Sequence, residues 1–563
     1  MSHRDAAHEP VRIPAPPNFP VAWEGPDDER MLWVQDRMHF PEPVVPLEAT
    51  LWDVAYEGAS RAMDAYEMPI RFKNRCMNTY LYMAVAPAVP LDQMEAQGKR
   101  AEEKLGAAMG QLGERWGGEW LPEIQSHLAW WDAFDLRAAA MPDLVTHLNE
   151  TLGRSRRLWD IHFLTVFPAY MAMSLLDDLY RDLFGGDGAF AAYRLLQGFN
   201  NKTVESGHAL WDLSRKALTS PGVRQILEGQ AATQVPAALE KTPVGRAFLA
   251  DLRAYLKVYG LRGDKWGLSL PYWVEDPSPV IKNLKDYIAR PDHDPKAEQA
   301  KLTAERDRAI AQARERLKGY PQPVVGQFEF LLKAAHQGVV LSEDHGFWID
   351  FASTYRVRRV LMEFGRRLAE AGTIQQPDDV FYLTLDELRE SGGDCNELSI
   401  RCRSRVAQRR SEIERFRAIS PPPALGTDHG PPPDNAFNRT FLAKFFGGPP
   451  QPSEDPGVLK GNAGSPGKAR GPAKVIRSLS EAGKLQRGDI LVAETTAPPW
   501  TPLFATAAAI VTDTGGILSH CAVVAREYGI PAVVGVGRAT AVIRDGQTLE
   551  VDGDAGLVRI SPA

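Results

Sequence analysis

The sequence predicts a multidomain protein in which a large, mainly α-helical domain is followed by a small α/β domain. Three observations predict this. Amphipathic segments of helical period fill 91–116, 141–183, 244–258, 295–319 and 342–371. A stretch rich in Pro and Gly then interrupts the pattern, with Pro421-Pro422-Pro423, Gly430-Pro431-Pro432-Pro433 and Gly447-Gly448-Pro449-Pro450 inside it. Beyond it, short runs of Val, Ile, Leu and Ala alternate with glycines, the signature of strands and helices in turn.

In chain order, residues 1–22 are polar and proline-bearing and are expected to form a flexible arm. Residues 23–420 form the helical domain, interrupted near Met77 to Val85 by Asn78-Thr79-Tyr80-Leu81-Tyr82-Met83-Ala84-Val85, whose aromatics two apart predict a strand. Lys296 to Lys318 is almost wholly Ala, Glu, Lys, Arg and Gln and predicts a solvated helix. Twelve of the 13 tryptophans precede residue 440, which suits a helical core or an aromatic-lined pocket in that domain. Residues 421–455 are expected to be an extended or mobile linker, and 456–563 the α/β domain.

Composition excludes several classes. Hydrophobic residues at 44% and charged residues at 24% give a globular balance, and 563 residues exceed one ordinary domain. A net charge of -7 with no basic tract argues against a nucleic-acid binder. Cys76, Cys395, Cys402 and Cys521 form no CxxC pair, so neither a disulfide scaffold nor a metal site is expected, and a reducing cytoplasm is. No signal peptide or membrane-spanning run is read; the apolar run near Phe163 to Leu176 contains Pro168 and is shorter than the ~18 residues a span requires.

The informative stretch runs from Ala508 to Gly535. Ala508 to Val511 is a short apolar strand, Gly515-Gly516 breaks it, and Leu518 to Glu527 is helix-forming until Gly529 and Pro531. His520 therefore falls in the first turn of a helix. Such a turn offers unpaired N–H groups and partial positive charge, suited to a phosphate-like anion. Gly515 and Gly516 let main chain approach that anion, and Ser519 and Thr512 are hydroxyl-bearing candidates beside it. An imidazole with a pKa of roughly 6.5 is largely neutral at pH 7 and has a nitrogen free to attack.

This string closely resembles the phosphohistidine swivelling domain of phosphoenolpyruvate-utilising dikinases, a family that includes phosphoenolpyruvate synthase, pyruvate phosphate dikinase, rifamycin phosphotransferase and phenylphosphate synthase. The resemblance extends over Gly461 to the end, through Gly464-Ser465-Pro466-Gly467, Gly488-Asp489-Ile490-Leu491-Val492, Pro499-Trp500-Thr501-Pro502-Leu503-Phe504 and Val551-Asp552-Gly553. It implies that His520 carries the phosphoryl group. Pyruvate phosphate dikinases bear a regulatory threonine where this chain has Leu518, which places it nearer the rifamycin and phenylphosphate branches. Weaker likeness to the acceptor-binding domain of those branches lies in Phe40-Pro41-Glu42-Pro43-Val44-Val45-Pro46-Leu47, in Tyr259-Gly260-Leu261-Arg262 through Pro277, in Glu343-Asp344-His345 and in Asp378 to Leu388.

The resemblance implies a histidine-bearing, acceptor-binding subunit of a two-component dikinase. No GxxxxGK[ST] loop occurs. ATP and Mg²⁺ are therefore expected mainly on a separate ATP-grasp subunit, with no nucleic-acid or membrane partner. His520 would attack ATP, swing on the linker, and hand the phosphoryl group to the hydroxyl of a small phenolic acceptor, with AMP and phosphate released. On the acceptor side His345, His208, Arg262, Arg356 and Lys202 are the candidates, His345 as a base oriented by an adjacent acid. Three rivals stand beside this: a rifamycin-like antibiotic acceptor, a water dikinase forming phosphoenolpyruvate, and an assembly protein with a relic swivelling domain.

Overall fold

The computed structural model describes residues 9–185, 190–263, 265–390 and 395–561. The chain is a multidomain, largely helical protein with a small α/β sheet domain at its C-terminal end. It divides into two units, Met1–Phe167 with Ser353–Asp434 and Pro168–Ala352 with Asn435–Ala563. Each unit is built from two separated stretches, whereas the sequence suggested contiguous blocks.

The first unit contains a five-stranded antiparallel sheet of β1 (Val11–Ile13), β2 (Leu32–Gln35), β3 (Ile70–Met77), β4 (Tyr80–Pro87) and β5 (Ala424–Asp428), in the order β1-β5-β2-β4-β3. Two expectations are corrected here. Within the expected arm, Val11 to Ile13 pair with Asp428 to Gly426, and Phe19 is fully buried against Tyr80, Tyr82 and Phe416. The first eight residues of that arm lie outside the described residues. Within the expected linker, Ala424–Asp428 is a strand held on both sides. The prolines flank it without entering it, so its ladder N–H groups are intact. Gly426, at φ +91°, sits where a Cβ would stand 2.0 Å from the Met31 carbonyl.

Asn78 and Thr79 are not strand residues. Both have positive φ, +49° and +71°, and form the two-residue turn of the β3–β4 hairpin. The alternation of Tyr80 and Tyr82 still places both rings in the core.

The second unit holds the helices that support the site, among them Lys202–Leu218, Pro243–Tyr259, Ser278–Ala289, Pro295–Arg316 and Gln322–His345. Pro295–Arg316 buries only Ile310 and Ala313, as its charged composition dictates. The last of these helices continues as a π-helical turn, Gly346–Ser353.

The α/β part is an eight-stranded sheet of β6 (Val458–Lys460), β7 (Asn462–Ser465), β8 (Lys468–Val475), β9 (Ile490–Ala493), β10 (Ala509–Thr512), β11 (Ala532–Val534), β12 (Thr548–Asp552) and β13 (Leu557–Ile560), ordered β6-β13-β12-β8-β9-β10-β11-β7. Its centre, β8-β9-β10-β11, is parallel. Of these, β9, β10 and β11 are buried along their whole length and read as near-continuous apolar runs because both faces are covered, whereas β8 carries Lys468, Arg470 and Lys474. One face packs on its own Val536, Ala539 and Ile543. Through Leu491, Ile510, Ala532 and Val534 the other shares one apolar cluster with Leu210, Leu252, Trp273 and Leu284 of the helical part.

Candidate functional site

The chain from β10 to β11 builds the site. After Thr512 the backbone turns at Gly515, φ +103°, and the helix His520–Glu527 begins. Ser519 is its N-cap residue by position, but its side chain makes no capping bond, and its buried hydroxyl has no hydrogen-bond partner. The first intrahelical bond runs from Val523 N–H to the Ser519 carbonyl. The N–H groups of His520, Cys521 and Ala522 therefore form the open first turn, as the sequence predicts.

The two glycines serve a purpose the sequence did not reveal. Gly516 N–H donates to the Phe445 carbonyl at 2.8 Å and Leu518 N–H to the Lys444 carbonyl at 2.7 Å. A Cβ on Gly516 would lie 2.2 Å from that Lys444 oxygen. The residues after Asn435, read as linker, are thus a packed π-helical turn, Arg439–Phe445, seated on the histidine loop. Lys444 also sends its ammonium to Asp177 at 2.9 Å and Asp178 at 2.7 Å. Thr512 donates its hydroxyl to the Thr514 carbonyl at 2.8 Å, so it braces the turn.

His520 is gripped at both ring nitrogens. Nδ1 lies 3.1 Å from Oε1 of Glu343, and Nε2 lies 3.3 Å from the hydroxyl of Thr501. Glu343 is buried, and its other oxygen accepts the Thr203 hydroxyl at 2.8 Å. Burial pushes the Glu343 carboxyl up, but the facing His520 imidazole and the hydrogen bonds from His520 and Thr203 outweigh it and hold the group below its ordinary value. An ionised Glu343 only accepts, so the proton of the imidazole sits on Nδ1 and the lone pair on Nε2.

Lys202 opens the helix that carries Thr203. Its backbone N–H donates to Asp344 at 2.7 Å and its ammonium to Glu205 at 2.6 Å. Burial raises Asp344 to about 6. Arg262 is buried and lies 5.3 Å over the Phe347 ring, with its Nε unpartnered. Burial lowers its pKa, while the charge of Glu343 acts to raise it. Among the acceptor-side candidates, then, Lys202 and Arg262 fall beside Glu343.

The remaining candidates fall elsewhere. His345 points back along its helix, Nδ1 on the Leu341 carbonyl at 2.6 Å, with Nε2 3.9 Å from Asp350. His208 lies on a different helical face from Thr203, beside Pro295 and Lys296, and burial lowers its pKa. Arg356 belongs to the first unit, where it forms a forked pair with Asp132 at 3.1 and 2.5 Å. Arg526 faces inward, donating to the Gly464 carbonyl at 2.7 Å with Tyr193 4.5 Å away. The acid in contact with His520 is thus Glu343, two residues before His345, one of the two histidines that the sequence offers as candidates. The string Glu343-Asp344-His345 drew attention to the place, but only the helical phase that aims Glu343 inward, together with Thr203 opposite, selects the residue.

Two known families match parts of the chain. Residues 162–343 match the rifampicin phosphotransferase fourth domain, and 485–556 match the mobile domain of PEP-utilising enzymes. Glu343 closes the first match and His520 lies within the second. The chain is 42% identical to chondramide synthase of Chondromyces crocatus over 97% of this chain and 14% of that protein. It is 32% identical to the uncharacterized phosphotransferase YvkC of Bacillus subtilis, over 71% of this chain and 47% of the relative. To the rifampicin phosphotransferase of Streptomyces sviceus it is 30% identical, over 76% and 48% respectively. The chain thus spans about half the length of those two phosphotransferases. Among the described residues no helix is long and apolar enough to cross a membrane.

Proposed function

We propose that this chain, which matches the rifampicin phosphotransferase fourth domain and the mobile domain of PEP-utilising enzymes, is a phosphotransferase of that family and the carrier and acceptor-binding part of an ATP-dependent dikinase. In this reading His520 Nε2 attacks ATP while docked on an ATP-grasp unit. The resulting phosphohistidine then passes its phosphoryl group to the hydroxyl of a small phenolic acceptor. Over the cycle ATP, water and the acceptor alcohol become AMP, phosphate and the phosphate ester. Covalent catalysis of this kind divides one difficult transfer into two.

The observation that carries the reading is the pairing of His520 Nδ1 with the buried Glu343 at 3.1 Å. It fixes the tautomer whose free lone pair is on Nε2 and stabilises the imidazolium character that a phosphorylated ring acquires. The Thr501 hydroxyl, 3.3 Å from Nε2, would donate to a phosphoryl group carried there. As the acceptor attacks, its proton must go to a base. Glu343 is the ionised group at the site, and a phenol with a pKa near 10 asks only for a modest one.

At rest the two Glu343 oxygens accept from His520 and Thr203, and Asp344 accepts a backbone N–H. In this reading ATP and Mg²⁺ are held mainly by the ATP-grasp unit, as a separate subunit. A rifamycin-type acceptor uses the same geometry and fits equally well, given relatives named rifampicin phosphotransferase. The test is to mix the protein with an ATP-grasp subunit, Mg²⁺ and ATP and to screen phenols and rifamycins for AMP-coupled esterification. Turnover with one acceptor class and loss in His520→Ala are expected. An active His520→Ala variant would overturn the reading.

A further inference from the structure

Arg262 is the most exceptional charge in the second unit. Only 3% of the residue is exposed, yet its Nε has no hydrogen-bond partner among the described residues. A guanidinium in that position ordinarily carries a carboxylate across its fork, because an uncompensated buried cation costs several kcal/mol. Glu343 acts on it as a charge but makes no ion pair with it among the described residues. What offsets the burial is a ring: the guanidinium carbon lies 5.3 Å from the centre of Phe347. The same ring has the Lys202 ammonium at 5.9 Å, Tyr259 at 6.2 Å and Trp348 at 5.0 Å. A planar donor fork, an aromatic wall and a second cation therefore meet beside the carboxylate that holds His520.

We propose that Arg262 is an anion-recognition residue of the acceptor site and that the acceptor is a hydroxyaryl acid. Its carboxylate takes the open guanidinium N–H, and its ring packs on Phe347. Its hydroxyl is then presented toward the Glu343–His520 pair. This deepens the proposed phosphotransfer and rests on it, because it names the substrate class of that site. The chemistry is specific. A neutral phenol leaves the Arg262 Nε–H without a charged acceptor, whereas a carboxylate replaces the hydration that burial removed.

The test is calorimetric titration of the full chain with phenol, 2-hydroxybenzoate, 4-hydroxybenzoate and inorganic phosphate. One of the two hydroxybenzoates is expected to bind at least about tenfold more tightly than phenol, the worth of one good charge-assisted contact. In Arg262→Met that preference is expected to vanish. Arg262→Lys keeps the charge but loses the fork, and it stands in should the methionine variant melt early; it is expected to retain only part of the preference. Equal affinities for phenol and both acids, or no binding of either acid, would overturn the proposal, and so would a preference that both variants keep. Phosphate binding that depends on Arg262 without any hydroxybenzoate preference would assign the fork to the travelling phosphoryl group, which also overturns it. The titration needs no phosphoryl donor, so its failure is told apart from a failure to label His520: the first overturns the acceptor class and leaves the carrier, the second overturns the carrier on which the acceptor site depends.

Discussion

The carboxylate of Glu343 faces Nδ1 of His520 with one oxygen and the hydroxyl of Thr203 with the other, at 3.1 and 2.8 Å. The pair joins the last residues of a long helix to the first residue of a short one. It defines which ring nitrogen of the imidazole carries the proton.

Replacing Glu343 with Gln removes the acceptor charge while keeping the shape. Phosphoryl transfer to acceptor is expected to slow by roughly 10²–10⁴-fold, the usual worth of a positioned acid or base. Single-turnover decay of the phosphohistidine, with and without acceptor, measures this. A change below threefold in the acceptor-dependent rate would remove Glu343 from the mechanism.

Thr203→Val deletes the second bond to Glu343. The variant is expected to be less stable by about 1.5–3 kcal/mol, since the acceptor is ionised and buried. It should also show a Glu343-dependent limb of the rate profile shifted to higher pH, because a bond that favoured the charged form has gone. Urea unfolding and a pH series read both effects.

Gly516→Ala is expected to destabilise the protein by about 1–3 kcal/mol. Its Cβ would stand 2.2 Å from the Lys444 oxygen, in backbone that has no slack. Thermal unfolding reports it. Alanine at the open Gly488 turn, where nothing lies within 4 Å of a Cβ but φ is +93°, should cost less.

Glu527 links stability to pH. Its carboxylate takes the Gly198 N–H at 3.0 Å, and desolvation raises it from 4.5 to about 7, against the pull of Arg526 and Arg306 and with the push of Glu343. A group raised in the folded state binds a proton on folding. Its cost is therefore absent below 4.5 and grows as pH rises through 7. Glu343 has the opposite sign, its contribution being present at neutral pH and lost as pH falls below its ordinary 4.5. Glu527→Gln should therefore flatten the decline in stability between pH 5 and 8, read by denaturant midpoints; a variant that still declines as steeply contradicts this.

Much of this was legible because it is periodic or local. The helix at His520 follows from Gly515-Gly516 before it and Gly529 after it, and the apolar runs of β9 and β10 announce strands covered on both faces. The pair at the site was not legible, because Glu343 and His520 are 177 residues apart and meet only through tertiary packing. Composition also misled in one direction. Prolines around Ala424–Asp428 and glycines after Phe446 read as slack chain, yet the residues between them are ordinary strand and helix formers that pack. Arg262 is a candidate from its surrounding string, but the lack of a partner for its Nε among the described residues is a property of space alone.

Lys444 touches the helical body through its ammonium and the histidine loop through its carbonyl. Drawing the α/β part away from its helices must therefore forfeit one of those two grips, and both are made by a single residue of the connecting segment. The restraint on departure is written into the cable, so one substitution such as Lys444→Met, which leaves Asp177 to Arg181 and Asp178 to Arg439, would alter how readily the α/β part separates from its helices without touching His520 or Glu343.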